Sequence, residues 1–218
     1  VDLDWQFMYH VLPAFGWGLW LTLYISLAGI VGALGVGFLS ALGLYFPGFW
    51  SKPLGAYVQI ARNTPLLIQL FFLYYGLNEI GFSLSAKTCA VVGIAFLGGG
   101  YMAESFLLGL KALPKVQLES ALSLGLTRLQ ALKHVLFAQS LAISLPSLGA
   151  NVIFLLKESS VVSAIALVDV MFVAKDVIGI YYKTNEALIL LVLAYLLAIL
   201  PLSALFVGLE KYYKRRVC

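Results

Sequence analysis

The sequence predicts an all-helical membrane protein with five spans. Three observations point there. Of 218 residues, 62% are hydrophobic and 11% are charged, less than half the roughly 25% charge of a soluble domain. Five stretches approach the roughly 20 apolar residues that cross a bilayer. Basic residues gather in one connection and at the C-terminus, the asymmetry that marks a cytoplasmic face.

The expected spans cover residues 18–45, 54–77, 86–110, 137–156 and 187–209, within a single domain. Before the first span, Asp2 to His10 can form a short interfacial helix, with Trp5, Phe7 and Tyr9 at headgroup level. His10 has no acidic or histidine neighbour to make it a ligand. Val1 to Gln6 carries two acidic residues and no basic region, unlike a secretory signal. In the first span Gly29, Ala33, Gly37 and Ala41 recur every fourth residue. They form a smooth stripe on which a second helix can pack closely. Phe46-Pro47-Gly48 then turns the chain.

Lys111, Lys115, Arg128 and Lys133 lie between spans three and four, and Lys211, Lys214, Arg215 and Arg216 close the chain. With five spans these two segments share a side, so both are expected in the cytoplasm and the N-terminus, with Asp2 and Asp4, outside. Lys214 to Arg216 reads as a headgroup anchor. The net charge of +4 arises from this asymmetry, and no aromatic–basic face suggests nucleic acid. Cys89 lies inside a span and Cys218 ends the chain, so no disulfide framework is implied.

The connection over residues 112–135 carries the most information. Pro114 suits the first turn of a helix. Leu118, Ala121, Leu122 and Gly125 share one face, so a short amphipathic helix is expected over 116–124. Gly125 can close that helix as a C-terminal cap. Thr127 and Gln130 have the spacing of a capping box that opens a second helix. Two short helices and a glycine corner make a rigid protrusion on which a partner can push.

This connection resembles the signature of ATP-binding-cassette import permeases, which reads Glu-Ala-Ala, three residues, Gly, nine residues, then Ile-x-Leu-Pro. Here Glu119-Ser120-Ala121 opens it, Gly125 has the required spacing, and Val135-Leu136-Phe137-Ala138 stands at its end. Ser120, Phe137 and Ala138 depart from the pattern. Three further segments resemble the polar amino acid permeases, in order along the chain. Ala61-Arg62-Asn63-Thr64-Pro65-Leu66-Leu67-Ile68-Gln69 stands for that family's Arg-Gly-Thr-Pro-Leu-Leu-Val-Gln, with Asn63 departing from its glycine. Tyr101-Met102-Ala103-Glu104 stands for Tyr-x-Ala-Glu. Leu156-Lys157-Glu158-Ser159-Ser160-Val161-Val162-Ser163 stands for Leu-Lys-Asp-Thr-Ser-Leu-Val-Ser.

The resemblance implies a type I ABC importer permease fold of five transmembrane helices with cytoplasmic coupling helices, set in a bacterial inner membrane. It implies a second permease, identical or a sister, two ATPase subunits on the cytoplasmic loops, and an external binding protein that delivers an amino acid. The coupling role then falls on Glu119, Ser120, Ala121, Gly125, Leu126, Thr127 and Arg128. No Gly-x-x-x-x-Gly-Lys-Ser/Thr phosphate loop is present. The chain is therefore expected to need no cofactor and to have no ATPase site, with ATP and magnesium bound by the partner. Glu119 is expected to satisfy the start of the next helix, or to pair with a basic residue of the ATPase.

A charge at the centre of a spanning helix costs about 2.5–3.5 kcal/mol on insertion scales, so such residues pair or line a wet path. Glu104 lies deep in the third span after Gly98-Gly99-Gly100, which lets another backbone or a ligand approach. It reads equally as a wall of the translocation path and as a partner of Arg62 or Lys157. Pro65 frees carbonyls near Ala61; Thr64 and Gln69 can satisfy them or face the path. Lys157-Glu158-Ser159-Ser160 suggests a broken helix beside a wet cavity. There Glu158 is the expected ammonium contact, and Ser159 with exposed amides can meet a carboxylate.

An ion-coupled secondary transporter of amino acids is the alternative, and it would work without an ATPase. Five spans without an inverted repeat speak against it. An intramembrane enzyme lacks any paired histidines, serine–histidine set or metal spacing.

Overall fold

The computed structural model describes residues 3–46 and 48–217, with side chains to Tyr213. Val1, Asp2, Pro47, Cys218 and the side chains of Lys214, Arg215 and Arg216 lie outside the described residues. Among the described residues ten α-helices follow in order: α1 (Trp5–Tyr45), α2 (Ser51–Asn63), α3 (Leu66–Phe71), α4 (Leu77–Glu79), α5 (Ala86–Ala112), α6 (Lys115–Ser123), α7 (Arg128–Ala131), α8 (Phe137–Glu158), α9 (Val170–Tyr181) and α10 (Thr184–Val217). Short π segments at Phe72–Gly76 and Leu132–Leu136 and a 3-10 segment at Ser159–Ile165 join some of them. Among the described residues four helical runs are long and apolar enough to cross a membrane: Trp5–Tyr45, Ala86–Ala112, Arg128–Ile165 and Thr184–Tyr213.

The remaining expected span, over 54–77, is divided. Proline disfavours helix in the residue before it, and α2 accordingly stops at Asn63, two residues before Pro65. Helix α3 restarts after Pro65, whose own carbonyl accepts from the amides of Ile68 and Gln69 at 3.1 and 3.2 Å. The π segment follows, and Gly81 at φ +89° turns the chain toward α5.

The interfacial helix and first span expected as separate pieces form one helix of 41 residues with Pro13 inside it. Proline forfeits one bond, to the carbonyl four residues earlier. That residue, Tyr9, is 80% exposed, so water can serve its carbonyl. At the entry to α8, Ala138 stands where the family signature has proline. With no proline to break it, the helix runs from α7 through the π segment into α8.

The chain divides into two compact units, four of the five boundaries falling inside long helices and the other at the end of α2. Unit one comprises Val1–Gly32, Thr64–Ala95 and Ile153–Leu202. Its core joins Met8, Val11 and Phe15 of α1 to Val170, Val173, Ala174 and Val177 of α9 and Ala187, Leu190 and Ala194 of α10. Asp169 caps α9, accepting the Phe172 amide at 2.8 Å. Gly18 lets the start of α9 lie against α1, since a Cβ there would stand 3.0 Å from the Val170 backbone. The amide of Val170 then donates to the Thr22 hydroxyl at 3.1 Å. Asp4 and Lys183 pair at 3.0 Å.

Unit two comprises Ala33–Asn63, Phe96–Val152 and Ser203–Cys218. The small-residue stripe performs as its spacing predicts: a Cβ at Gly37 would press on Met102 and stand 2.9 Å from the amide of Ala103. Leu110, Leu113, Leu132 and Leu136 form a second core, with Leu42, Tyr45 and Leu118 packed on it.

Candidate functional site

The site lies in unit two and is built by α2, α5 and α8. On α5, Tyr101, Glu104, Ser105 and Leu108 follow at intervals of three, one and three, which puts them on one helical face. On α8, Ser147 and Asn151 are one turn apart. Arg62 comes from the last turn of α2. The glycine run explains how α2 reaches α5. A Cβ at Gly100 would lie 3.0 Å from Ala61 and 3.1 Å from the Arg62 side chain, and one at Gly99 would strike the Tyr57 hydroxyl. That hydroxyl donates to the Phe96 carbonyl at 2.9 Å and ties α2 to α5.

With the helices this close, the Arg62 guanidinium pairs with the Glu104 carboxylate and lies over the Tyr101 ring, 5.4 Å from its centroid. Of the two partners considered for Glu104, Arg62 is the one in contact. The pair is not sealed away: the side chains are 29% and 44% exposed. They border a cleft of about 250 Å³ lined by Arg62, Tyr101, Glu104, Ser105, Ser147 and Asn151, with Leu108 at its edge. That is close to the roughly 300 Å³ where small-ligand pockets begin. Its formal charge cancels, yet it offers one cation and one anion, which a zwitterion can meet at both ends. Ser105, buried, shares a hydrogen bond with Ser147 at 2.7 Å. Asn151 Nδ2 donates to Ser105 Oγ at 2.8 Å and to the Tyr101 carbonyl at 3.3 Å.

Ser105, Ser147 and Asn151 are absent from the expected site. A signal for Ser147 and Asn151 exists in the sequence: Ser140, Ser144, Ser147 and Asn151 recur at intervals of four, three and four along a stretch of α8 whose other residues are apolar. Such a stripe marks a face turned toward other protein or water rather than lipid.

The other expected residues fall elsewhere. Gln69 is buried and donates from Nε2 to the Thr64 carbonyl at 3.0 Å, so its amide bridges the break at Pro65. Lys157 is exposed and Glu158 half-buried at the end of α8. Ser159 is buried and gives its hydroxyl to the Leu156 carbonyl at 2.7 Å. Neither Lys157, Glu158 nor Ser159 lines the cleft.

The coupling segment has the expected caps. Helix α6 ends in a Schellman motif: the Leu126 amide reaches the Ala121 carbonyl at 3.2 Å and the Gly125 amide that of Leu122 at 2.9 Å. Gly125 has φ +84°, a conformation glycine adopts without a Cβ penalty. Thr127 and Gln130 form a complete capping box at the start of α7. The reading of Glu119 as the group that satisfies that helix start is thereby corrected. Thr127 just before the helix and Gln130 in its first turn supply both capping bonds, and Glu119 instead lines a groove with Tyr45, Lys111 and Lys115. Ala121 packs inward, while Glu119, Ser120, Thr127 and Arg128 are exposed. Arg128 lies over the Phe46 ring, 5.9 Å from its centroid.

The four helices long and apolar enough to cross a membrane, a small polar cleft and a capped two-helix loop fit a membrane transport subunit. Residues 33–217 match the family model of the binding-protein-dependent transport system inner membrane component, and the chain belongs to that family. It is 32% identical over 197 residues to the probable glutamine ABC transporter permease protein GlnM of Bacillus subtilis, covering 89% of this chain and 90% of that one. It is 27% identical to the glutamine transport system permease protein GlnP of Escherichia coli K12, over 98% of this chain and 99% of that one. It is 29% identical to the arginine transport system permease protein ArtQ of Bacillus subtilis, over 98% and 99%. Among solved structures it is similar to a chain of an amino acid ABC transporter crystallised with histidines, at TM-score 0.87 and 30% identity, covering 97% of this chain and all of that one. The protein is thus a permease subunit of an ABC importer, with the type I permease fold.

Proposed function

We propose that this permease carries a polar amino acid inward, and that the cleft bordered by Arg62 and Glu104 is where the substrate touches it within the membrane. The observation that carries the reading is the ion pair at the cleft wall, half exposed, with hydroxyl and amide groups around it. Arg62 can receive an α-carboxylate and Glu104 an α-ammonium, each replacing the bond they make to one another. Relatives named for glutamine and arginine, and a similar transporter crystallised with histidines, support the substrate class. At the end of α8, Glu158, with Lys157 and Ser159, is a second candidate contact on the path, argued from its polar run alone.

The work comes from elsewhere in the assembly. Two ATPase subunits, holding ATP and magnesium, dock on the segment from Glu119 to Arg128, and the capped corner at Gly125 passes their movement to α8 through a continuous helix. A second permease, a copy or a sister, completes the path, and a binding protein delivers substrate to the outer face. The basic loop and C-terminus lie in the cytoplasm and the N-terminus outside. The test is uptake into proteoliposomes holding the reconstituted complex, with a panel of amino acids. ATP-dependent uptake, weakened by Arg62→Ala and Glu104→Gln, is expected. Uptake that follows an ion gradient without the ATPase would point to the secondary-transporter alternative.

A further inference from the structure

We propose that Asn151 makes the cleft selective for side chains that donate hydrogen bonds (carboxamide, imidazole, guanidinium or ammonium) and against side-chain carboxylates. The inference rests on reading the cleft as the substrate site and adds what that site can distinguish.

An asparagine amide has two N–H hydrogens and one carbonyl oxygen. Both hydrogens of Asn151 are engaged within the protein, one by Ser105 Oγ at 2.8 Å and one by the Tyr101 carbonyl at 3.3 Å. The Tyr101 carbonyl can only accept, so the reversed amide would set two oxygens against each other. The orientation is therefore dictated by the backbone of α5. What remains for a ligand is Oδ1, an acceptor.

Ser105 holds the arrangement in place. It is 3% exposed, accepts from Asn151, and is within hydrogen-bonding distance of the Tyr101 carbonyl at 3.2 Å and Ser147 Oγ at 2.7 Å. Across the cleft, Glu104 adds a carboxylate, 44% exposed, of which one oxygen is bonded to Arg62. Besides the hydroxyls of its lining, the cleft offers one cation, Arg62, and two groups that only accept, the Glu104 carboxylate and Asn151 Oδ1. An amino acid places its carboxylate on Arg62 and its ammonium on one acceptor, leaving the other acceptor to read the side chain. A side-chain carboxylate would bring oxygens to an oxygen beside an existing negative charge. Sites built on such hydrogen bonds reject the mismatched analogue strongly, because a buried polar group is left unpaired.

The test measures competition binding of glutamine, histidine, arginine, glutamate and alanine to the permease–ATPase complex in nanodiscs, without the binding protein. Glutamine, histidine and arginine are expected to bind about tenfold or more tighter than glutamate. Asn151→Leu should weaken glutamine about tenfold while changing alanine by less than about twofold. Ser105→Ala, a milder change that removes one of the two acceptors holding the amide, should loosen it and narrow the gap between glutamine and glutamate. Equal binding of glutamine and glutamate by the unaltered complex would overturn the proposal. So would a uniform loss for glutamine and alanine in Asn151→Leu with the gap intact in Ser105→Ala, the outcome of a merely structural residue. Arg62→Ala separates the two readings. If it weakens every amino acid while Asn151→Leu and Ser105→Ala leave discrimination intact, only the selectivity fails. If it changes none, the site reading fails and the selectivity with it.

Discussion

Replacing Asp169 by asparagine isolates the energetic consequence of a buried carboxyl outside the candidate spans. Asp169 is fully buried; Oδ1 caps α9 by accepting the Phe172 amide, and Oδ2 is buried without a hydrogen bond. Burial pushes the carboxyl up from 3.8 to about 6, against the opposing pull of the Phe172 and Met171 amides and the Lys175 charge. A raised folded-state value means that the protonated form is favoured in the native protein. The stabilisation is fully present below 3.8 and is lost as pH rises through about 6. A displacement of roughly two units at 1.36 kcal/mol each makes the ionised residue about 3 kcal/mol costlier at pH 8 than the protonated one. Asparagine caps a helix as well as aspartate does but cannot ionise. Its buried N–H₂ carries a pH-independent cost of about 1–3 kcal/mol, so the diagnostic quantity is the pH dependence and not the stability at one pH. The assay is thermal unfolding of the reconstituted complex from pH 8 to pH 5. The unaltered protein should gain on Asp169→Asn by about half of the 3 kcal/mol over that interval. Parallel stability curves would refute the reasoning.

Three further outcomes are expected. Gly125→Pro cannot hold φ +84° and loses the amide bonded to Leu122; uptake should uncouple from ATP hydrolysis, and intact coupled transport would remove the docking role of this corner. Gly37→Val would drive a side chain into Met102 and the Ala103 backbone; a loss of roughly 1–3 kcal/mol, seen as lower yield of folded protein, is expected, and normal yield and melting would show that the stripe tolerates bulk. Glu158→Gln should lower transport while insertion into the membrane stays intact, and unchanged kinetics would take Glu158 out of the substrate path.

What was legible in the sequence was local. The stops around Gly125, Thr127 and Gln130 are set by residues within one turn of each other, so their spacing predicts the Schellman motif and the capping box directly. Pro65 acts on its own backbone neighbours, so the freed carbonyls and Gln69, four residues on, as a group that could satisfy them were visible, but the second span was expected unbroken over 54–77 and only the structure divides it. The stripe from Gly29 to Ala41 needs only helical periodicity. Glu119 shows the limit of such reasoning: its position in the motif was clear, but the bonds it was expected to make are made by closer residues.

The sequence by itself determined that this chain crosses a membrane and that the loop around Gly125 is built of two short capped helices. Each of these depends on hydrophobicity or on backbone chemistry between near neighbours. Tertiary structure alone decided that Glu104 meets Arg62, 42 residues away, and that Asn151 reaches across to Ser105 and Tyr101. Those contacts depend on how closely three helices approach, and at Gly99 and Gly100 that distance is set by the missing side chains. Charge and polarity along the chain show that such residues need partners, whereas only packing selects which ones they find.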